Sequence, residues 1–341
     1  MRRLIPLLIL LIGALAAGVA FWTYSELTTP YYSPGGSEIF IEIPRGAGTR
    51  DIAGLLQAGG AIRHALPFVL YVKWTGLDRR LQAGEYRFAE PANPSQVAGR
   101  LLSGDVYYRT ITIPEGLTAL ETVDLLSRNG IGDRQELERL LRRVEWIADL
   151  DPEAGSLEGY LFPETYRFPR RIGPEEVLKA MVREFRQRFS PLWAAGPQPE
   201  NRRARDIVIL ASLVEKEARN TGERRLVSSV MWNRLRLRMP LACDPTIIYA
   251  LKQNGTYDGN LRRQDLEIDS PYNSYRRLGL PPSPIANPGE DSLQAALSPT
   301  ATAYLYYVSK NDGTHVFSRD LNSHLAAVAR YQRGASRPKS R

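Results

Sequence analysis

Residues 4–22 carry no charge, nineteen positions in a row directly behind Met1, Arg2 and Arg3. As a helix they extend about 28 Å, against a hydrocarbon thickness of roughly 30 Å. Such a segment either stays in lipid or is cut away. Phe21, Trp22 and Tyr24 cluster where an interfacial aromatic belt lies, and Arg2 and Arg3 place the N-terminus in the cytoplasm. Ala14-Leu15-Ala16 matches a small-x-small cleavage site, but the apolar run continues six residues past it. The reading is therefore an uncleaved transmembrane anchor over 1–25. With either fate, everything after Glu26 lies outside the cytoplasm.

Composition narrows the remainder. Of 341 residues 43% are hydrophobic, which is enough for a packed core and excludes wholesale disorder. A single cysteine, Cys243, excludes a disulfide framework and any multi-cysteine metal site, and in an oxidising compartment fits a buried unpaired thiol. His64, His315 and His324 are far apart, so no histidine-rich metal centre is expected. The net charge of +8 suits an anionic polymer or membrane surface. No basic tract interleaved with aromatics points to nucleic acid.

Residues 26–37 carry turn residues and read as a linker. A repeat follows. Ile41-Glu42-Ile43-Pro44-Arg45-Gly46 recurs as Ile111-Thr112-Ile113-Pro114-Glu115-Gly116, and the correspondence continues through Asp51/Glu121, Leu55-Leu56/Leu125-Leu126 and Gly60/Gly130. Each copy predicts strand, Pro-Gly turn, helix and a glycine near the helix end. Such a piece is too small to fold alone. The copies head two modules, 38–105 and 106–155, the latter continuing in connecting helices. Residues 81–88 read as a turn entering a strand, and 156–168 as irregular and aromatic. Val177, Met181, Phe185 and Phe189 recur at i+4 and predict a helix. Further helices are expected over 206–218, 223–237 and 321–332, long loops with short helices over 239–290, and a hairpin around Asn311-Asp312-Gly313. Residues 334–341 read as a disordered basic tail.

Residues 207–214 are apolar around the whole helix circumference and require burial in a core. They run into Glu215-Lys216-Glu217. At about 100° per residue Lys216 points away from the shared apolar face and the two glutamates flank it. A carboxyl at the mouth of a buried helix is partly desolvated, which raises its pKa and suits a general acid. The alternative is an ordinary solvated or ion-paired role with Arg219 and Arg224. Asn233 falls on the apolar face of the next helix and needs partners, either backbone or a ligand. Asp244-Pro245-Thr246 and Tyr272-Asn273-Ser274-Tyr275 add amides and aromatics of the kind that cover sugar rings and bond hydroxyls. No Walker loop, dinucleotide fingerprint, H-E-x-x-H or serine triad is present, so an enzyme here would work with carboxylates.

Leu213-Val214-Glu215-Lys216-Glu217, Asn233-Arg234-Leu235, residues 244–249, Tyr272-Asn273-Ser274-Tyr275, residues 279–285 and Asn287-Pro288-Gly289 together resemble the YceG-like (MltG) endolytic murein transglycosylase family. Residues 158–166, 304–309 and His315-Val316-Phe317 are similar to it as well. The resemblance implies an α+β protein: a single N-terminal transmembrane helix, a small LysM-like α/β module over 38–105, and a mainly helical α+β catalytic domain over 156–333. It implies a peptidoglycan lytic transglycosylase that cleaves between N-acetylmuramic acid and N-acetylglucosamine, leaves 1,6-anhydro ends and stops nascent strands. No cofactor or metal is implied. The partners implied are peptidoglycan strands, the membrane and neighbouring peptidoglycan synthases, with the catalytic domain outside the plasma membrane. The catalytic glutamate maps onto Glu215. Glu217, Asn233, Asp244, Thr246, Tyr249, Tyr272, Asn273 and Tyr275 are expected around the sugar. Leu241-Ala242-Cys243 departs from the family, which often has a polar residue or Thr there, and leaves the contacts of Cys243 open. The rival functions are a tethered glycan-binding scaffold and a hydrolytic muramidase, the second requiring another carboxylate such as Glu217 or Asp244.

Overall fold

The computed structural model describes residues 4–31, 38–196, 203–218 and 220–333. The expected disordered tail at 334–341, and most of the expected linker, lie outside them. The chain divides into two compact units, one of residues up to Arg109 with Arg167–Arg171, the other of Thr110–Tyr166 with Ile172 onward.

The first unit opens with α1 (Leu4–Thr28), whose residues Ile9 to Tyr24 are largely exposed, as the lipid reading of its sequence requires. The module behind it runs β1 (Ile39–Ile43), α2 (Thr49–Ala58), α3 (Ala65–Trp74), β2 (Gly84–Phe88) and α4 (Pro94–Ser103). Strands β1 and β2 pair antiparallel, Ile41 opposite Tyr86. Their inward side chains alternate with exposed ones and meet Ile52, Leu56, Phe68, Val72, Val97 and Leu101 in one core. The sequence reading assigns no helix to α3 or α4. For α4 the signal is Asn93, whose side chain accepts from Gln96 N while the Gln96 side chain accepts from Asn93 N, with Pro94 at the first turn.

The second unit contains β3 (Arg109–Thr112), α5 (Ala119–Arg128), α6 (Arg134–Leu140), β4 (Thr165–Phe168), α7 (Pro174–Ala195), α8 (Ala204–Glu217), α9 (Arg224–Arg236), α10 (Asp244–Gln253), α11 (Glu290–Leu297), the hairpin β5 (Tyr306–Ser309) and β6 (His315–Ser318), and α12 (Leu321–Val328). The repeat is visible at the level of dihedral angles. Gly46 and Gly116 hold φ of 80° and 77° in the two Pro-x-Gly turns, and Gly60 and Gly130 hold 79° and 70° after the two helices. Both helices end in the same pair of bonds, Ala61 N to Leu56 O and Gly60 N to Gln57 O in one, Ile131 N to Leu126 O and Gly130 N to Ser127 O in the other. These are the two bonds of a Schellman cap, which a left-handed glycine makes without a Cβ clash.

Helix α8 is the axle of the second unit. Residues Ile207 to Val214 are all buried, and α9, α10 and α11 pack around them. The stripe of Val177, Met181, Phe185 and Phe189 on α7 is buried too. Asp244-Pro245-Thr246, expected on a loop, instead opens α10, because proline in the first turn gives up no helical hydrogen bond and an acidic residue there suits the helix dipole.

Candidate active site

The two glutamates at the end of α8 point to different walls. Glu215 accepts from the Arg224 guanidinium at 3.0 Å and from the Gly289 backbone N–H at 3.1 Å. Arg224 also binds Glu115 at 3.0 Å, so the Pro-Glu-Gly turn of the second repeat copy closes the same network. The Glu215 and Arg224 side chains are 6% and 7% exposed, and this is a buried ion pair. A Cβ at Gly289 would meet the Glu115 carboxyl, which would have to swing away from Arg224. Burial raises the Glu215 pKa. The buried Ser292 hydroxyl beside it, Arg224 and the Gly289 N–H work against the rise.

Glu217 has different company. Its Oε1 lies 2.9 Å from the Cys243 thiol, and the Tyr307 hydroxyl stands beside the same carboxyl. Among the described residues no lysine or arginine pairs with it. The residue keeps some surface toward solvent while its carboxyl is enclosed by protein, and burial raises its pKa. Neighbouring Asp244 adds to that rise; Cys243, Tyr307 and His315 oppose it. Burial also pushes the Cys243 thiol and the Tyr307 phenol well up, so both remain protonated donors. The hairpin face that carries Tyr307 and His315 is fixed by Glu223, which accepts from the His315 backbone N–H at 3.0 Å and meets its ring Nδ1 at 2.7 Å. Tyr275 bonds the Asp244 carboxylate, and both are at least partly open to solvent.

A third buried carboxyl, Glu158, accepts from Ala119 N at 2.9 Å and from the Tyr249 hydroxyl at 3.2 Å. Burial pushes its pKa up to about 8. It ties the start of α5 to α10.

The other expected sugar ligands separate by whether their polar atoms are already used. Asn233 donates to Thr302 O and Tyr304 O, both at 2.9 Å, and accepts from Arg236, so its amide has partners within the protein. Asn273 is fully buried, donates to Leu266 O and Ile268 O and accepts from Tyr275 N. The Thr246 hydroxyl is buried between Cys243 O and Ser274 Oγ. Tyr249 is spent on Glu158 and packs on Tyr272, ring centroids 4.9 Å apart. Tyr272 keeps an edge to solvent with its hydroxyl on Ser283 at 2.6 Å. Asp244, Tyr272 and Tyr275 are the expected residues that still face outward, while Glu217 keeps some residue surface with its carboxyl enclosed. The sequence reading named Arg224 as an ion-pair partner in its alternative for the two glutamates, and gave no role to Glu115, Glu158, Tyr307, His315 or Glu223. Their signal was faint: Glu158, Tyr307 and His315 all fall in the stretches that carry the family resemblance.

The YceG-like family model matches residues 41–330. Among curated proteins, an endolytic murein transglycosylase of Bacillus subtilis is 32% identical over 333 residues, 93% of this chain and 91% of its own. An endolytic murein transglycosylase of Streptococcus pneumoniae strain D39 is 28% identical over 86% of this chain, which spans 58% of that longer relative. A YceG-like protein of Listeria monocytogenes has a similar crystal structure, with a TM-score of 0.57 at 30% identity, covering 85% of this chain and 98% of its own. This chain belongs to the YceG-like family.

Proposed function

We propose that the protein is an endolytic murein transglycosylase, as the names of its relatives in Bacillus subtilis and Streptococcus pneumoniae support, and that Glu217 is its acid. The observation that carries the assignment is the contrast between the two glutamates of α8. Glu215 is held by a guanidinium and a backbone N–H, both of which favour the charged form. Glu217 is enclosed with the neutral donors Cys243 and Tyr307, and burial, with neighbouring Asp244, raises its pKa, the direction a general acid needs. Glu215 is then the member that locks α8 to the second repeat copy and to the Gly289 turn.

In this reading the Glu217 carboxyl donates its proton to the glycosidic oxygen as the C1–O bond breaks with oxocarbenium character. The muramoyl C6 hydroxyl adds to C1, and its proton passes to the Glu217 carboxylate. The acid is regenerated and no water is consumed. Tyr275 and Asp244, with the outward edge of Tyr272, border the sugar, and Tyr307 and Cys243 hold the acid. Helix α1 spans the plasma membrane with the N-terminus in the cytoplasm, and the catalytic unit works outside near emerging strands and their synthases. The β-α-α-β order of the first module supports its reading as LysM-like. Mass spectrometry of glycan strands digested by the membrane-reconstituted protein tests the reading. Products ending in 1,6-anhydro-muramoyl residues are expected. Reducing ends would identify a muramidase, and intact strands a scaffold.

A further inference from the structure

The first module carries an apolar face that its core does not use. Helix α3 buries Pro67, Phe68 and Val72 inward. On its opposite side Leu66, Leu70 and Trp74, spaced i, i+4 and i+8, fall within about 80° of arc and are 52%, 40% and 90% exposed. A ten-residue helix that is apolar on both sides, with Lys73 as its one charge, belongs in contact with something other than water. The face is continuous with the N-terminal helix. The ring of His64, just before α3, packs tilted against Trp22 with centroids 5.6 Å apart, and Arg63 reaches Glu26 at 3.6 Å. Between the two helices runs an apolar groove of about 840 Å³, walled by Leu15, Val19 and Leu27 on α1 and by Leu70 and Trp74 on α3. Lys73, Arg79 and Arg80 are exposed at and just after the end of α3.

We propose that α3 is a second, monotopic membrane contact. Leu66, Leu70 and Trp74 sit among the outer-leaflet lipids beside α1, an acyl chain fills the α1–α3 groove, and Lys73, Arg79 and Arg80 meet anionic headgroups. The inference rests on the reading of α1 as membrane-spanning, and the observations favour lipid over a protein partner because the face continues α1 and is edged by basic groups that can snorkel to phosphates. Two contacts of this kind fix the tilt of the module against the bilayer, where a flexible tether would not.

The test uses the full chain in vesicles of phosphatidylethanolamine and phosphatidylglycerol whose acyl chains are brominated, with tryptophan emission as the readout. Trp74→Phe and Trp22→Phe are each expected to remove part of the lipid-quenched emission. If Trp22→Phe removes all of it and Trp74→Phe none, α3 stands clear of the bilayer and the proposal is overturned while the anchor stands. If neither variant changes the quenching, the anchor reading falls with it.

Discussion

At the scale of single residues the active unit is organised by which charges have partners. Arg224 is enclosed with Glu215, and a buried pair that loses one member leaves the other charge stranded. Arg224→Ala is therefore expected to lower stability by about 3–5 kcal/mol, read as a fall in the denaturation midpoint of the full chain. A variant as stable as the wild type would remove the ion pair from the account. Cys243 tests the other glutamate. Its thiol favours the charged form of Glu217 by donating to it, so removing the donor raises the Glu217 pKa further. A general acid with a higher pKa stays protonated to higher pH. Cys243→Ala is expected to move the alkaline limb of the kcat–pH profile upward, while Cys243→Ser, which keeps a donor, leaves it near its original position. A profile that does not move in the alanine variant would separate the thiol from the acid.

Elements of the second unit are joined by a few buried polar clamps. The Asn287 side chain accepts from Gly159 N at 2.9 Å and Leu161 N at 3.1 Å and donates to Leu117 O at 3.0 Å, binding three segments at once. Gly159 itself is left-handed with φ of 89°, and a Cβ there would stand 2.5 Å from Pro284. Asn287→Ala orphans two backbone N–H groups, Gly159 and Leu161, at about 1–3 kcal/mol each, while Leu117 O keeps the backbone N–H of residue 287; a clear drop in melting temperature is expected, and an unchanged melt would mean that the clamp is dispensable. Glu158 is the clamp that titrates. Its folded pKa of about 8 lies above the ordinary carboxyl value, so the folded state holds a proton that the unfolded state has released. Stability is then full below the ordinary value and declines as pH rises toward 8. Thermal melts between pH 5 and 8 are expected to show this decline, and Glu158→Gln to flatten it; a wild-type stability that rises across the window would contradict the burial of that proton. The elements most legible from sequence were those with a period or a repeat: α8, the α7 stripe, the hairpin, and the two strand–turn–helix copies with matching glycines. Asn233, Thr246 and Asn273 were legible as residues needing partners but not as to which, because a backbone carbonyl from a distant loop satisfies an amide as well as a sugar does. The choice between Glu215 and Glu217 was illegible for the same reason. Arg224, Gly289, Cys243 and Tyr307 reach them from other elements, and spacing along one helix carries no record of those approaches.

For the molecule as a whole, the central claim is that α8 presents two buried carboxyls with divided labour, Glu215 holding the fold and Glu217 moving the proton. The two substitutions are sterically alike, which makes them a direct comparison. Reconstituted wild type, Glu215→Gln and Glu217→Gln are incubated with glycan strands, and anhydro-muramoyl ends are counted by mass spectrometry beside a thermal melt of each protein. Glu217→Gln is expected to melt near the wild type and yield no anhydro ends, while Glu215→Gln melts lower and, below its melting point, still yields them. A stable Glu215→Gln protein without product, beside a Glu217→Gln protein that keeps its activity, would contradict that division of labour.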